Sequence, residues 1–284
     1  MTCPACDANQ WSSRRVLPRL AIRTCVNCGL LTSEIDATTS VSYSDFDDET
    51  YDEAIGALRR KQSAGVVRFV RQHVPRGEWL DLGCGPGYLL AEAAAAGFRV
   101  GGIEPDANAV LRARALVGAE CIREGVFSEA EARPVDVIST LDVLEHIAPA
   151  ALPGFIEAVR NSLRPDGAWI IKVPAAEGLY FRIAHAFRLA GPIERLWQAG
   201  YASPHLVYFA RTTLVRLLKR HGLEVVASRY VQELPLLSAI PRLMMAGTVS
   251  RGLAVLALPA VAAVSVIDAL RRKSDSLLVI ARPR

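Results

Sequence analysis

The stretch Trp79-Leu80-Asp81-Leu82-Gly83-Cys84-Gly85-Pro86-Gly87-Tyr88 constrains the fold more than any other. An apolar run enters a turn with three alternating glycines, and a run rich in Ala and Leu follows. Glycine is needed where the backbone turns with φ > 0 or lets a ligand come close. The helix behind such a turn presents free N–H groups and the positive end of its dipole. This is the build of a nucleotide-type binding loop. The plain alternative is a tight turn with no ligand, so the surroundings decide.

Those surroundings alternate strand and helix. Phe98 to Ile103 reads as a second strand ending at Glu104, 17 residues beyond Gly87. A short third strand lies near Glu120-Cys121-Ile122, and Val135 to Thr140 reads as a fourth. A helix to about Leu163 follows, then a turn at Arg164-Pro165-Asp166-Gly167 and a fifth strand from Ala168 to Pro174. Leu223 to Tyr230 and Ser276 to Ala281 complete seven strands. Such alternation requires a mostly parallel, doubly wound α/β sheet, whose ligands bind at the carboxyl ends of its strands. Glu104 then stands where an acid grips both ribose hydroxyls. Its other reading is an acid at the start of the next helix, which Pro105-Asp106 opens.

The N-terminus carries a different signal. Cys3-Pro4-Ala5-Cys6 and Cys25-Val26-Asn27-Cys28-Gly29 are two C-x2-C knuckles separated by eighteen residues. Two intervening residues let both thiolates of a knuckle face one ion, and four thiolates close a tetrahedral structural zinc shell. Cys3, Cys6, Cys25 and Cys28 are therefore the expected metal ligands of a zinc ribbon over residues 1–33. The opening Met1-Thr2-Cys3-Pro4 lacks the basic start and apolar run of a secretory signal, which favours a reducing, cytoplasmic setting and metal over disulfides. Arg14, Arg15, Arg19 and Arg23 lie between the knuckles and read as a solvated face. Residues 34–50 are polar and acidic and read as a linker, and Tyr51 to His73 has helical spacing. Tyr43 and Tyr51 are candidates to close over a ligand, with simple packing as the alternative.

Four stretches then make the resemblance specific: Leu80 to Gly87, Gly102-Ile103-Glu104-Pro105-Asp106, Asp142-Val143-Leu144-Glu145-His146-Ile147, and Leu163 to Gly167. In this order they resemble the motifs of class I S-adenosylmethionine-dependent methyltransferases, across roughly residues 52–230 and the last strand. The resemblance implies a Rossmann-like methyltransferase domain over 51–284, with insertions at 175–208 and 231–275. It implies that Gly83, Cys84, Gly85 and Gly87 let the backbone approach the cofactor's methionine part, and that Asp81 helps hold its amino group. Glu104 would hold the ribose, Pro105, Asp106 and Gly125-Val126-Phe127 would border the adenine, and the backbone at Leu141 would close the methionine end. Glu124-Gly125-Val126-Phe127 departs from the usual acid-aliphatic pattern at the adenine. His146 is the first candidate for a general base, with a packed loop histidine as its other reading. Asp142, Glu145 and His146 also resemble a segment of ubiquinone-biosynthesis O-methyltransferases that is associated with a divalent ion.

The insertions bear on the acceptor. Leu179 to Leu189 is apolar and basic with helical spacing, and Gly191-Pro192 breaks it. Ser203-Pro204-His205-Leu206-Val207-Tyr208-Phe209 resembles a segment that many of these enzymes place over the acceptor, which makes His205 the second base candidate. Residues 252–267 carry no charge, while Arg242, Arg251, Arg271, Arg272 and Lys273 flank the apolar parts. Sixteen residues around a central proline are short for a bilayer span. They read as half of a helical hairpin at 232–272, lying on the inner membrane face or packed as a cap on its own domain or a second subunit. The expected activity is methyl transfer to a small or lipid-linked acceptor, most readily at oxygen. The alternatives are a sugar or polysaccharide-pathway methyltransferase, an RNA methyltransferase using the ribbon, and a non-enzymatic scaffold. A net charge of +4 is too mild to demand nucleic acid.

Overall fold

A computed structural model describes residues 2–12, 15–35, 56–128, 133–201, 203–232, 251–271 and 273–284. The expectations for Tyr43, Tyr51, Arg14, Arg242, Arg272, most of the 34–50 linker and the first part of the apolar insertion lie outside the described residues.

Eleven strands form two sheets among the described residues. Three belong to the N-terminal module: β1 (Arg15–Val16), β2 (Leu20–Thr24) and β3 (Leu31–Ile35). The parallel core uses β4 (Glu78–Leu82), β5 (Arg99–Glu104), β6 (Ile122–Glu124), β7 (Val135–Leu141) and β8 (Leu163–Pro174). After it come β9 (Val207–Tyr208), β10 (Leu223–Val231) and β11 (Ser276–Pro283). The large sheet has the order β10-β11-β8-β7-β4-β5-β6, so the chain reverses direction of travel at β4. Strand β11 alone runs antiparallel, against β8 and β10. The switch point puts the ends of β4 and β7 side by side, where a doubly wound sheet holds its ligand.

The central strands are buried on both faces, which explains their continuous apolar character: Trp169, Ile170, Ile171 and Val173 of β8 are fully covered. Helices α1 (Ala57–Arg71), α2 (Tyr88–Ala95), α3 (Ala107–Val117), α4 (Leu152–Asn161), α5 (Leu179–Ala186), α6 (Ala190–Leu196) and α7 (Arg211–Arg220) surround the sheets. Asp106 caps α3, its side chain accepting from the Ala109 N–H at 2.8 Å. Three expected boundaries move. Strand β8 starts at Leu163, because the segment read as a turn continues the ladder through a register shift opposite Val135 and Val137. Gly191 and Pro192 stand in the first turn of α6, where a missing N–H costs little. Glu34 and Ile35, expected in the linker, finish β3.

The N-terminal module is joined to the rest. Strand β9 pairs with β3 (Leu31 with Tyr208, Thr32 with Val207), closing the sheet β1-β2-β3-β9. Leu20 and Ile22 of β2 pack with Phe181, Ile193, Trp197 and Tyr208 from the 175–208 insertion. Cys3, Cys25 and Leu30 belong to the same apolar cluster as Leu144, Val207 and Phe209.

Helix α8 (Arg251–Arg271) runs through Pro259. Asp268 ties its end to the body: the carboxylate accepts from the Leu179 N–H at 3.4 Å and pairs with Arg271 at 3.0 Å. Val255, Leu256, Val266, Ile267 and Leu270 are exposed along it. No helix among the described residues is long and apolar enough to cross a membrane.

Candidate active site

The glycine turn closes over the end of β4. Gly83, Gly85 and Gly87 all have positive φ (73°, 51° and 84°), so each of the three alternating glycines is required by the backbone. A Cβ on Gly83 would meet Val143 at 2.7 Å, whereas one on Gly85 would meet nothing within 4 Å and so faces open space. Gly87 makes the turn into α2, with the Ala113 backbone of α3 behind it. Cys84 turns its buried side chain down toward Gly102 and leaves its backbone to the loop.

Glu104 ends β5 with one carboxylate oxygen accepting from the Gly85 N–H (2.8 Å) and the other from the Asp106 N–H (3.0 Å). Each oxygen retains further acceptor capacity, and Glu104 lines the cavity described below. Burial raises its pKa. Asp81 is fully buried, and burial pushes its carboxyl up to about 7 against a 2.5 Å hydrogen bond donated by Ser139 Oγ. Trp79 Nε1 donates in turn to Ser139 Oγ at 2.8 Å, fixing this network inside the sheet.

One continuous cavity of about 970 Å³ runs from Gly83, Gly85, Glu104, Pro105 and Asp106, past Gly125, Val126 and Phe127, to His146, His205 and Tyr208. A smaller cavity of about 200 Å³ adjoins the other side of the turn, between Asp81, Cys84, Leu141, Lys172 and Arg59. The residues expected on the cofactor side thus line this pair of cavities, except Gly87, which stands behind them.

His146 and His205, 59 positions apart in the chain, meet with ring centroids 4.9 Å apart. His146 Nδ1 lies 2.9 Å from the Pro204 carbonyl, which can only accept. The proton is therefore on Nδ1, and Nε2 carries the lone pair. Burial lowers the His146 pKa, and burial with the neighbouring His146 lowers that of His205 to about 3. Both imidazoles are neutral at neutral pH. His205 Nδ1 is buried without a hydrogen-bond partner, and donor atoms of Glu145, His146 and His205 lie within 4.8 Å of one another. This donor set fits a divalent ion. It differs from the expected trio, because Asp142 is drawn to Lys172 Nζ (2.7 Å) and Arg59 (3.4 Å).

Cys3, Cys6, Cys25 and Cys28 come together, with sulfurs 3.5 Å apart for Cys3 and Cys28 and 3.6 Å for Cys6 and Cys25. Burial raises the thiol of Cys3 strongly and that of Cys28 to about 11, whereas at Cys6 burial is outweighed by hydrogen bonds from the Ala8 backbone, Asn27 and the neighbouring thiols, which lower the thiol to about 6. Four sulfurs within 4.8 Å of one another fit zinc.

The methyltransferase-domain family matches residues 55–228, more than half of the chain. The chain belongs to that family. Its methyltransferase domain is of the S-adenosylmethionine-dependent kind. The domain's fold is similar to that of an S-adenosylmethionine-dependent methyltransferase from Archaeoglobus fulgidus (TM-score 0.54, 16% identity, 82% of this chain and 97% of that one). It is also similar to magnesium protoporphyrin IX methyltransferase from Synechocystis PCC 6803, solved with bound S-adenosylhomocysteine (TM-score 0.54, 14% identity, 85% and 94% covered). In sequence, the domain is 35% identical over 98 residues to a ubiquinone biosynthesis O-methyltransferase of Neisseria meningitidis serogroup C, covering 31% of this chain and 40% of that protein. The homologous enzyme of Serratia proteamaculans is 32% identical over 117 residues, covering 34% and 48%. The match spans less than half the length of either relative.

Several residues of the methyltransferase domain's cavities escaped the sequence reading. Arg59 reaches the turn from α1, Lys172 sits buried at 4% exposure inside β8, and Arg195 borders the histidine pair. Lys172 carried a signal, since a lysine in an otherwise apolar central strand needs a buried anion. Arg59 carried none, because α1 has charged residues on several faces.

Proposed function

We propose that this chain transfers a methyl group from S-adenosylmethionine to an oxygen of a small or lipid-linked acceptor. The observation that carries this reading is the single cavity joining the Glu104 wall to the His146–His205 pair. Bound S-adenosylmethionine supplies a methyl already activated on a sulfonium. The chain's part is to align, to shield and to remove a proton. Glu104 would hold the ribose hydroxyls, the backbone of Gly83 to Gly85 the methionine part, and Phe127 the adenine. Asp81, through its charge, would favour the amino group at the end of β4. His146 Nε2 would take the acceptor's hydroxyl proton, with the Pro204 carbonyl steadying the imidazolium through Nδ1–H. The local similarity to ubiquinone-biosynthesis O-methyltransferases supports oxygen as the methylated atom.

A second reading has its own support. The cluster of Glu145, His146 and His205 would hold a divalent ion that lowers the acceptor hydroxyl's pKa, in place of a free base. Structural zinc at the four cysteines would hold the N-terminal module, with no chemistry at the metal. The exposed apolar residues of α8 favour peripheral contact with the inner membrane face, where a lipid-linked acceptor would be met.

The test is a product 14 mass units heavier when the full-length protein, S-adenosylmethionine and cell extract are combined, with lipid and nucleotide-sugar acceptors screened in parallel. Metal analysis counts the zinc, and chelation followed by magnesium addition separates the free base from the divalent ion.

A further inference from the structure

The N-terminal cysteine module reaches the acceptor side of the cavity at Ser33, next to its pairing with β9 and the packing of Leu20 and Ile22 with Tyr208. Ser33 of β3 is buried at 8% exposure. Its N–H donates to the Leu206 carbonyl at 2.9 Å, and its hydroxyl donates to the His205 carbonyl at 2.7 Å. The opposite edge of the same segment is held by the turn that carries His146. The Leu206 N–H donates to the Glu145 carbonyl at 2.6 Å, and His146 Nδ1 donates to the Pro204 carbonyl. Residues 204–206 are thus a strap gripped by the module on one side and by the catalytic domain on the other. His205 is on the strap, and the strap's Pro204 carbonyl sets the tautomer of His146. The strap also continues into β9, which completes the module's sheet.

The cysteines stand at the far end of the same element. The Cys25 N–H donates to the Leu30 carbonyl at 2.8 Å, so the second knuckle fixes the entry to β3. A buried carbonyl left without its donor is unfavourable and drives local rearrangement. Removing the Ser33 hydroxyl would therefore release the strap at His205, and opening the knuckle would release β3 itself.

We propose that Ser33 is a positioning residue of the acceptor pocket and that the cysteine module is the outer wall of that pocket, not an appendage for nucleic acid or a partner. The inference rests on the acceptor side being at His146 and His205, as proposed above.

Hydrogen–deuterium exchange on the full chain tests it, with Ser33→Ala, Ser33→Thr and the chelator-treated wild type. In Ser33→Ala, exchange across 203–209 should rise at least tenfold. Across 80–90 it should be unchanged, and S-adenosylhomocysteine affinity by calorimetry should stay within twofold of wild type. Methyl incorporation from labelled S-adenosylmethionine into cell extract should fall at least tenfold. Ser33→Thr, which keeps a hydroxyl, should restore both. The chelated wild type should open at 20–35 and at 203–209 together. Unchanged exchange at 203–209 in Ser33→Ala overturns the proposal, and so do a uniform rise over the whole chain and a failure of threonine to restore. If Ser33→Ala does not fold, opening of the module with 203–209 still protected in the chelated wild type overturns it. A wild type that binds no S-adenosylhomocysteine defeats the methyltransferase reading, while the exchange pattern still reports on the strap.

Discussion

The proposed cofactor side and the proposed acceptor side of the cavity are assembled in opposite ways. The cofactor side is a nearly contiguous stretch, Asp81 to Asp106, in which one βαβ unit brings the glycine turn and Glu104 together. The acceptor side gathers Ser33, Glu145, His146 and the 203–208 segment, whose only connection is tertiary. The first arrangement is fixed by local backbone geometry: positive φ at three glycines and an acid at a strand end. The second depends on two hydrogen-bonded seams closing around a strap.

The largest effect that would break this comparison lies on the acceptor side. His146→Asn should lower the rate of methyl transfer by about 10²–10⁴-fold, the usual span for a general base. S-adenosylhomocysteine affinity, measured by calorimetry, should barely move. A parallel loss of affinity would mean that the two sides are not separable.

On the cofactor side, Glu104→Ala should weaken S-adenosylhomocysteine binding by about 100-fold, the equivalent of roughly 3 kcal/mol for hydrogen bonds to a charged group. Titration calorimetry checks this, and normal binding would remove the ribose assignment.

A smaller effect is pH-dependent. Asp81 is raised by burial to about 7, so its protonated form is favoured in the folded chain. Its contribution to stability is complete below the ordinary carboxylate pKa and is lost as pH rises through about 7. A cationic amino group bound beside it would reverse this preference and expel the proton. S-adenosylmethionine affinity should therefore increase about tenfold between pH 6 and 8, and Asp81→Asn should flatten the profile. Calorimetry in buffers of different ionisation enthalpy would count the released proton.

The smallest effect concerns α8, which belongs to neither side. Leu256→Glu places a charge on an open apolar stretch of the helix and should reduce flotation with anionic liposomes several-fold. Methyl transfer to a water-soluble acceptor should be unaffected.

The glycine turn and the acid at the end of the next strand were legible in the sequence. Glycines at alternating positions, an acid 17 residues later and alternating strands and helices specify a local unit whose geometry follows from φ, strand direction and the right-handed crossover. The pairing of cysteines within each knuckle was legible for the same reason, since it depends on spacing within a few residues. His146 and His205 were each identifiable as candidates, but their contact was not, because no periodicity relates positions on opposite sides of β8. Asp142 shows the limit from the other direction: its motif resembles a metal-associated segment, and only the structure pairs it with the buried Lys172. Tertiary structure alone decided that β9 would complete the module's sheet and that Ser33 would hold His205. A short strand finds its partner through hydrogen bonds to a backbone brought from far along the chain, and backbone donors and acceptors look the same at every residue.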